Sequence, residues 1–190
     1  MTEMDIYQSP ITPFVIPQFS DSAKQVRSQE RILDFIEIGF EGSESKVFIR
    51  QKEKSCLTAS PPDHFYTLEV DVTDLVKSKW LSLEVLLDPA RFVSASRITT
   101  LISLACPYQD QFSASLRFLG KDGGFEDLGL GNFKPSINEE YRPVNLSRPL
   151  ADLYKRFGRA PDAAKLILFA PAYTGLRFSL SMLNIFVTSE

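Results

Sequence analysis

The sequence predicts an all-β domain, a jelly-roll-like antiparallel β-sandwich with one short helix near residues 148–157. Segments in which apolar and polar residues alternate recur at short spacing, the mark of strands with one dry and one wet face. Twelve Pro and nine Gly punctuate those segments, as many short strands joined by turns require. Strands do not alternate with long helical stripes, which argues against βαβ units. The chain also holds 15 Phe against 6 Tyr and 1 Trp, and aromatic rings suit a pleated, half-buried surface.

The 190 residues are divided into an extended arm, 1–19, and one sandwich domain, 20–190. Pro10, Pro13 and Pro17 favour extended backbone in the arm, which is either loose or laid along the body of the domain. Residues 20–29 are polar and read as a helical turn capped by Ser20 or Asp21. Residues 31–40 read as one strand, with Ile32, Asp34, Ile36 and Ile38 on one face and Leu33, Phe35 and Glu37 on the other. A short strand covers 47–50. Residues 64–72 alternate clearly, His64, Tyr66, Leu68, Val70 and Val72 against Phe65, Thr67, Glu69 and Asp71.

Residues 80–87 form the next strand, Leu81, Leu83, Val85 and Leu87 inward and Trp80, Ser82 and Glu84 outward, stopped at Asp88 and Pro89. Strands over 97–106 and 112–119 follow. Gly120, Lys121, Asp122, Gly123 and Gly124 then make a tight turn into a short return strand at 125–128. A helix is predicted from Leu150, Leu153, Tyr154 and Phe157 at i, i+3, i+4, i+7, capped by Ser147 and ended by Gly158, to lid one end of the sandwich. Strands over 164–170 and 176–187 complete the fold. In the last, Leu176, Phe178, Leu180 and Met182 share one parity and Leu183, Ile185 and Val187 the other. Either both faces are buried, or a bulge near Met182 and Leu183 shifts the register.

A net charge of −3 and a pI of about 5.3 argue against nucleic acid as a partner. The positive cluster Lys46, Arg50, Lys52 and Lys54 reads as a solvated hairpin edge whose lysines discourage edge pairing. Membrane insertion is not expected, because no stretch reaches ~18 apolar residues. The N-terminus lacks the basic and apolar regions of a signal peptide. The expected compartment is therefore the cytoplasm, with Cys56 and Cys106 as reduced thiols, Cys106 buried, and a bridge between them left open.

Catalytic motifs are scarce. The single histidine, His64, stands at a strand start beside Pro61, Pro62 and Asp63, and no G-x-S-x-G elbow is present. One His and two distant Cys do not fill a tetrahedral metal shell, so no cofactor is expected. Only an oxygen-ligand calcium site at Asp122, Glu126 and Asp127 stays open, without the spacing of an EF-hand. Gly129, Gly131 and Asn132 read as a loop turn, lacking the third glycine of a dinucleotide fingerprint. Glu69, Asp71 and Glu84, all outward, are the carboxylates a glycan-active enzyme would use.

The constellation with most content combines Trp80 and Glu84 with Arg117 and its neighbours Ser113 and Ser115, and with Arg177 and its neighbours Ser179 and Ser181. All are on outward strand faces by parity. An aromatic platform with planar guanidinium groups, a carboxylate and hydroxyls suits a sugar, whose C–H face lies on the ring while its hydroxyls are bonded in pairs. The expected function is a non-catalytic, binding-module-like β-sandwich that holds carbohydrate at Trp80, Glu84, Arg117, Arg177 and Ser179. The alternative is a structural or assembly protein, using the arm and an aromatic-arginine face for protein contacts or homo-oligomerisation. A carboxylate-based glycan-active enzyme is the second alternative. These expectations require the chosen residues to share one surface.

Overall fold

The computed structural model describes residues 4–8, 23–33, 35–42, 44–56, 63–76, 78–137, 142–157 and 161–188. In chain order the strands are β1 (Met4–Gln8), β2 (Lys24–Val26), β3 (Glu30–Leu33), β4 (Ile36–Phe40), β5 (Lys46–Cys56), β6 (Asp63–Asp74) and β7 (Leu81–Leu87). After a single 3-10 turn, Pro89–Phe92, come β8 (Arg97–Ala105), β9 (Phe112–Leu119), β10 (Phe125–Phe133) and β11 (Val144–Pro149). Helix α1 (Ala151–Phe157), β12 (Ala163–Ala170) and β13 (Arg177–Thr188) complete the chain. All named pairings are antiparallel.

Two sheets form. The large sheet runs β11-β8-β13-β6-β5-β2, with β1 added to β13, and the small sheet runs β10-β9-β12-β7-β4-β3. Their inner faces meet in one apolar core. Leu81, Leu83, Val85 and Leu87 of β7 and Phe112, Ala114, Leu116 and Phe118 of β9 are buried there from the small sheet. Val70 and Val72 of β6 and Ile98, Ile102 and Leu104 of β8 oppose them from the large sheet. Phe112 meets Phe178 of β13 across the layer, ring centroids 5.4 Å apart and edge to face.

The parity change in β13 has a local cause. Its register with β8 shifts between Leu180 and Met182, so Ser181 drops out of the ladder and bonds the hydroxyl (2.9 Å) and carbonyl (3.2 Å) of Ser103. A bulge flips the alternation, so Phe178 and Leu180 point inward before it and Leu183, Ile185 and Val187 after it. Before the bulge β13 pairs β6, and from Asn184 onward β1 takes that edge. That part of the predicted arm lies along the domain as a strand.

Helix α1 seals one end. Leu150 and Leu153 are buried, and the Tyr154 hydroxyl lies 2.7 and 2.8 Å from the carbonyls of Phe92 and Ala95. Phe118 contacts both Phe92 (5.1 Å between centroids) and Tyr154 (6.2 Å) at this end.

Several local expectations are corrected. Residues 31–40 are a hairpin: Glu30 pairs Ile38 and Leu33 pairs Ile36, so Ile32, Ile36 and Ile38 share the buried side of two strands. Residues 24–26 extend along β5 instead of forming a helical turn. The glycine segment 129–132 is no loop turn. It is strand β10, bulged between Gly129 and Gly131 where it passes β9. Ser147 lies in β11, paired with Thr99, and so does not cap the helix. Strand β5 is eleven residues long and pairs β6 along its length, while β2 covers its other edge only at Val47–Ile49, so Arg50 and Lys52 lie beyond that cover. The expected turn does form at Gly120–Gly124, with Gly123 at φ 77 and Asp122 accepting from the Gly124 amide at 2.9 Å. Pro10, Pro13, Pro17, Ser20, Asp21 and Gly158 lie outside the described residues, as do the side chains of Cys56, His64, Tyr66 and Phe157. Among the described residues no helix is long and apolar enough to cross a membrane.

Candidate functional site

The outer face of the small sheet carries Trp80, Glu84 and Arg117. Trp80 lies half-buried against β4, and a Cβ on Gly39 would come within 2.6 Å of its Cζ3. The absence of a side chain at 39 is what lets the indole approach the strand this closely. Ser82 is buried beside it and donates to Glu84 at 3.0 Å.

Register brings Glu37 of β4 directly opposite Glu84 of β7, two carboxylates side by side. Lys165 of β12 resolves the repulsion, its Nζ 3.0 Å from Glu37 and 3.1 Å from Glu84. Burial pulls the Lys165 ammonium downward, but the hydrogen bonds to both carboxylates outweigh it and the net shift is upward. Arg117 makes two 2.7 Å bonds to Asp127, its strand partner on β10, and lies 4.3 Å over the ring of Phe125. The Asp127 bond holds the guanidinium pKa above its usual value. Ile167, central on this face, is 1% exposed. The face is thus a closed set of internal ion pairs over a covered centre.

Asp122 and Asp127, two of the carboxylates considered for calcium, already accept hydrogen bonds. Asp127 is committed to Arg117 and Asp122 to its own turn. No group of three His, Cys, Asp or Glu suited to a metal exists among the described residues.

Arg177 and Ser179 lie on the opposite side of the molecule, on the outer face of the large sheet. The single surface expected to join all five residues therefore does not form. The reason is topological: β7 and β9 belong to one sheet and β13 to the other, so outward parity points the two sets apart. The carboxylates divide the same way, Glu84 on one side, Glu69 and Asp71 on the other.

Around Arg177 and Ser179 the structure has an open groove of about 550 Å³. Pairing sets its floor in rows. One row runs Arg177, Asp71, Phe48, and the next runs Ala105, Ser179, Glu69, Arg50. Ala23 closes the far side on the β2 edge, and Pro107 and Ile137 close the near side. The groove thus crosses four strands, β8, β13, β6 and β5, roughly 14 Å at the usual strand spacing.

Its charges are paired. Arg177 Nε lies 3.1 Å from Asp71, Arg50 Nε bonds Glu69, and Lys52 Nζ lies 3.6 Å from Glu69. Arg50 and Lys52 were legible in the sequence as a basic cluster. What was missing was that the strand behind them faces a groove.

The loop that supplies Pro107 is built with some strain. Gln109 adopts φ 54, a left-handed conformation uncommon outside glycine. Beside it Tyr108 and Tyr173 stand exposed, edge to face at 6.2 Å, and the Tyr173 hydroxyl bonds Asp110. Burial and that hydrogen bond push the Tyr173 phenol upward. Cys106, at the root of the loop, is a buried free thiol whose pKa burial raises. Its amide is tied to Ser136 at 2.9 Å, which joins the loop to the strip carrying Ile137.

Fold and groove together define a jelly-roll-like β-sandwich with an open outer face. No family model matches the chain, and no curated protein matches it in sequence. Solved structures do match in shape. A family 22 module (CBM22-1), the xylan-binding domain of Paenibacillus barcinonensis Xyn10C, superposes with a TM-score of 0.52 at 7% identity, over 87% of this chain and 99% of the module. The tandem CBM22-1-CBM22-2 domain of the same protein gives 0.54 at 6% identity, over 93% of this chain and 48% of the tandem. The enzymatically active domain of bacteriophage CBA120 tailspike protein 4 gives 0.50 at 11% identity, over 81% of this chain and 19% of that one. The shared property is the sandwich fold.

Proposed function

We propose that this domain binds a carbohydrate chain, without catalysis, in the groove across the large sheet. The observation that carries the reading is the groove itself. It is open, spans four strands, and presents guanidinium–carboxylate pairs beside a buried residue, Ser179, and the apolar groups Phe48, Pro107 and Ile137. Planar charged pairs of this kind bond adjacent sugar hydroxyls as donor and acceptor together, while apolar side chains take the C–H faces. The similar module from Paenibacillus barcinonensis is a xylan-binding domain, which supports a glycan as the ligand class.

In this reading Arg177 and Ser179 touch the ligand. Trp80, Glu84 and Arg117 brace the opposite sheet, Glu84 already bonded by Ser82 and Lys165 and Arg117 by Asp127. Glu69 and Asp71 orient the arginines and perform no chemistry.

Affinity electrophoresis through gels containing xylan or mixed-linkage β-glucan tests it. Wild type is expected to be retarded, Arg177→Ala to lose retardation, and Trp80→Ala to keep it when folded. A wild type that runs freely in both gels, or loss confined to Trp80→Ala, would remove the groove as the site.

A further inference from the structure

Resting on the glycan-binding reading, we propose that the groove selects an anionic polysaccharide, one whose sugars carry uronate carboxylates. The argument lies in how its charges are layered. The groove's charged groups among the described residues are three cations, Arg50, Lys52 and Arg177, and two carboxylates, Glu69 and Asp71. Their depths differ. The cations are 51%, 50% and 66% exposed, whereas Glu69 is 14% and Asp71 36% exposed. The carboxylates are less exposed than the cations on the same rows, so an entering chain meets positive charge first.

Pairing leaves the cations with capacity. Both arginine ion pairs are made through Nε, and a guanidinium has further N–H donors on its two Nη atoms. Glu69 is shared by Arg50 and Lys52, so one positive charge is left over on that side of the groove. A carboxylate bonded to the Nε of each arginine fixes the fork and leaves its outer edge for a planar anion, the geometry guanidinium groups match best.

Arg177 and Arg50 sit two strands and one row apart, about 12 Å between backbones at standard sheet spacings. That separation places two cationic contacts along one chain, which suits a polymer with repeated carboxylates better than a single charged sugar. The preference also runs against the protein's overall charge of −3. The net charge repels an anionic ligand over long range, so its binding would depend on local cations such as these.

The test compares one polymer in two forms, polygalacturonate and its carboxyl-reduced product, by isothermal titration at low salt and again at high salt. Neutral xylan serves as a third ligand. The uronate form is expected to bind about tenfold more tightly than the reduced form, the worth of one charge-assisted pair. That advantage shrinks at high salt as screening shortens the reach of exposed charges. It is lost in Arg50→Gln/Arg177→Gln, whose fold is checked by far-UV circular dichroism. Equal affinity for the two forms overturns the inference and leaves glycan binding standing, as does a preference for neutral xylan. A uronate preference that survives in the double variant also overturns it, because the charge would then be read elsewhere. No binding of any of the three removes the glycan reading together with the inference.

Discussion

Gly39→Ala separates two opposed effects whose sizes follow from the structure. In a strand interior alanine is ordinarily better than glycine by about 0.5–1 kcal/mol, because glycine loses more backbone freedom on folding. Here the new methyl would stand 2.6 Å from Trp80 Cζ3 and 2.7 Å from Ser82 Oγ, against ordinary contact from 3.4 Å. The Ser82 hydroxyl is itself bonded to Glu84, so the indole is what gives way. An indole buried over half its surface covers roughly 100 Å², worth about 2.5 kcal/mol at 25 cal/mol per Å². Partial displacement and overpacking together cost about 1–3 kcal/mol. The expected net is destabilisation of about 1–2 kcal/mol. Urea unfolding followed by circular dichroism reads the stability. Trp80, the only tryptophan, reports its own surroundings by a red-shifted and more quenchable emission. An unchanged or raised midpoint with unchanged emission would refute the packing argument. Glycan binding should be unaffected, since the groove is on the other sheet.

Three more outcomes follow from the described contacts. Lys165→Met leaves Glu37 and Glu84 facing each other and should cost about 2 kcal/mol in urea titrations. That is less than the 3–5 of a fully buried pair, because the lysine side chain keeps 21% exposure. Adding Glu37→Gln and Glu84→Gln should restore most of it. The Glu30 carboxyl is held below its usual 4.5 by hydrogen bonds from Lys24 and the Arg27 amide. Its contribution is present above that pH and is lost as pH falls through the lower folded value. The wild type minus Glu30→Gln difference in stability should therefore shrink below pH 4.5. The raised Lys165 ammonium works the other way, contributing below pH 10.5 and fading only above it. Phe118→Ala removes a fully buried ring packed on Phe92 and Tyr154, and should cost about 3–5 kcal/mol by thermal or urea unfolding.

The all-β sandwich was legible from the residues alone, because period-2 alternation is a local property. Leu68, Val70 and Val72 of β6 and the inward residues of β7 and β9 lie where parity put them, and even the disturbed parity of the last strand announced its bulge. Hairpins and glycine bulges were harder to read, since residues 31–40 keep a plausible alternation straight through their turn. Parity names two sides of each strand, and only strand order says which sides coincide. That is why Trp80, Glu84 and Arg117 share one surface while Arg177 and Ser179 occupy the other. The groove depends on pairing between residues far apart in the chain, such as Arg177 with Asp71 and Arg50 with Glu69. Long-range register of this kind is set by the packing of the whole core, and no short stretch of sequence carries it.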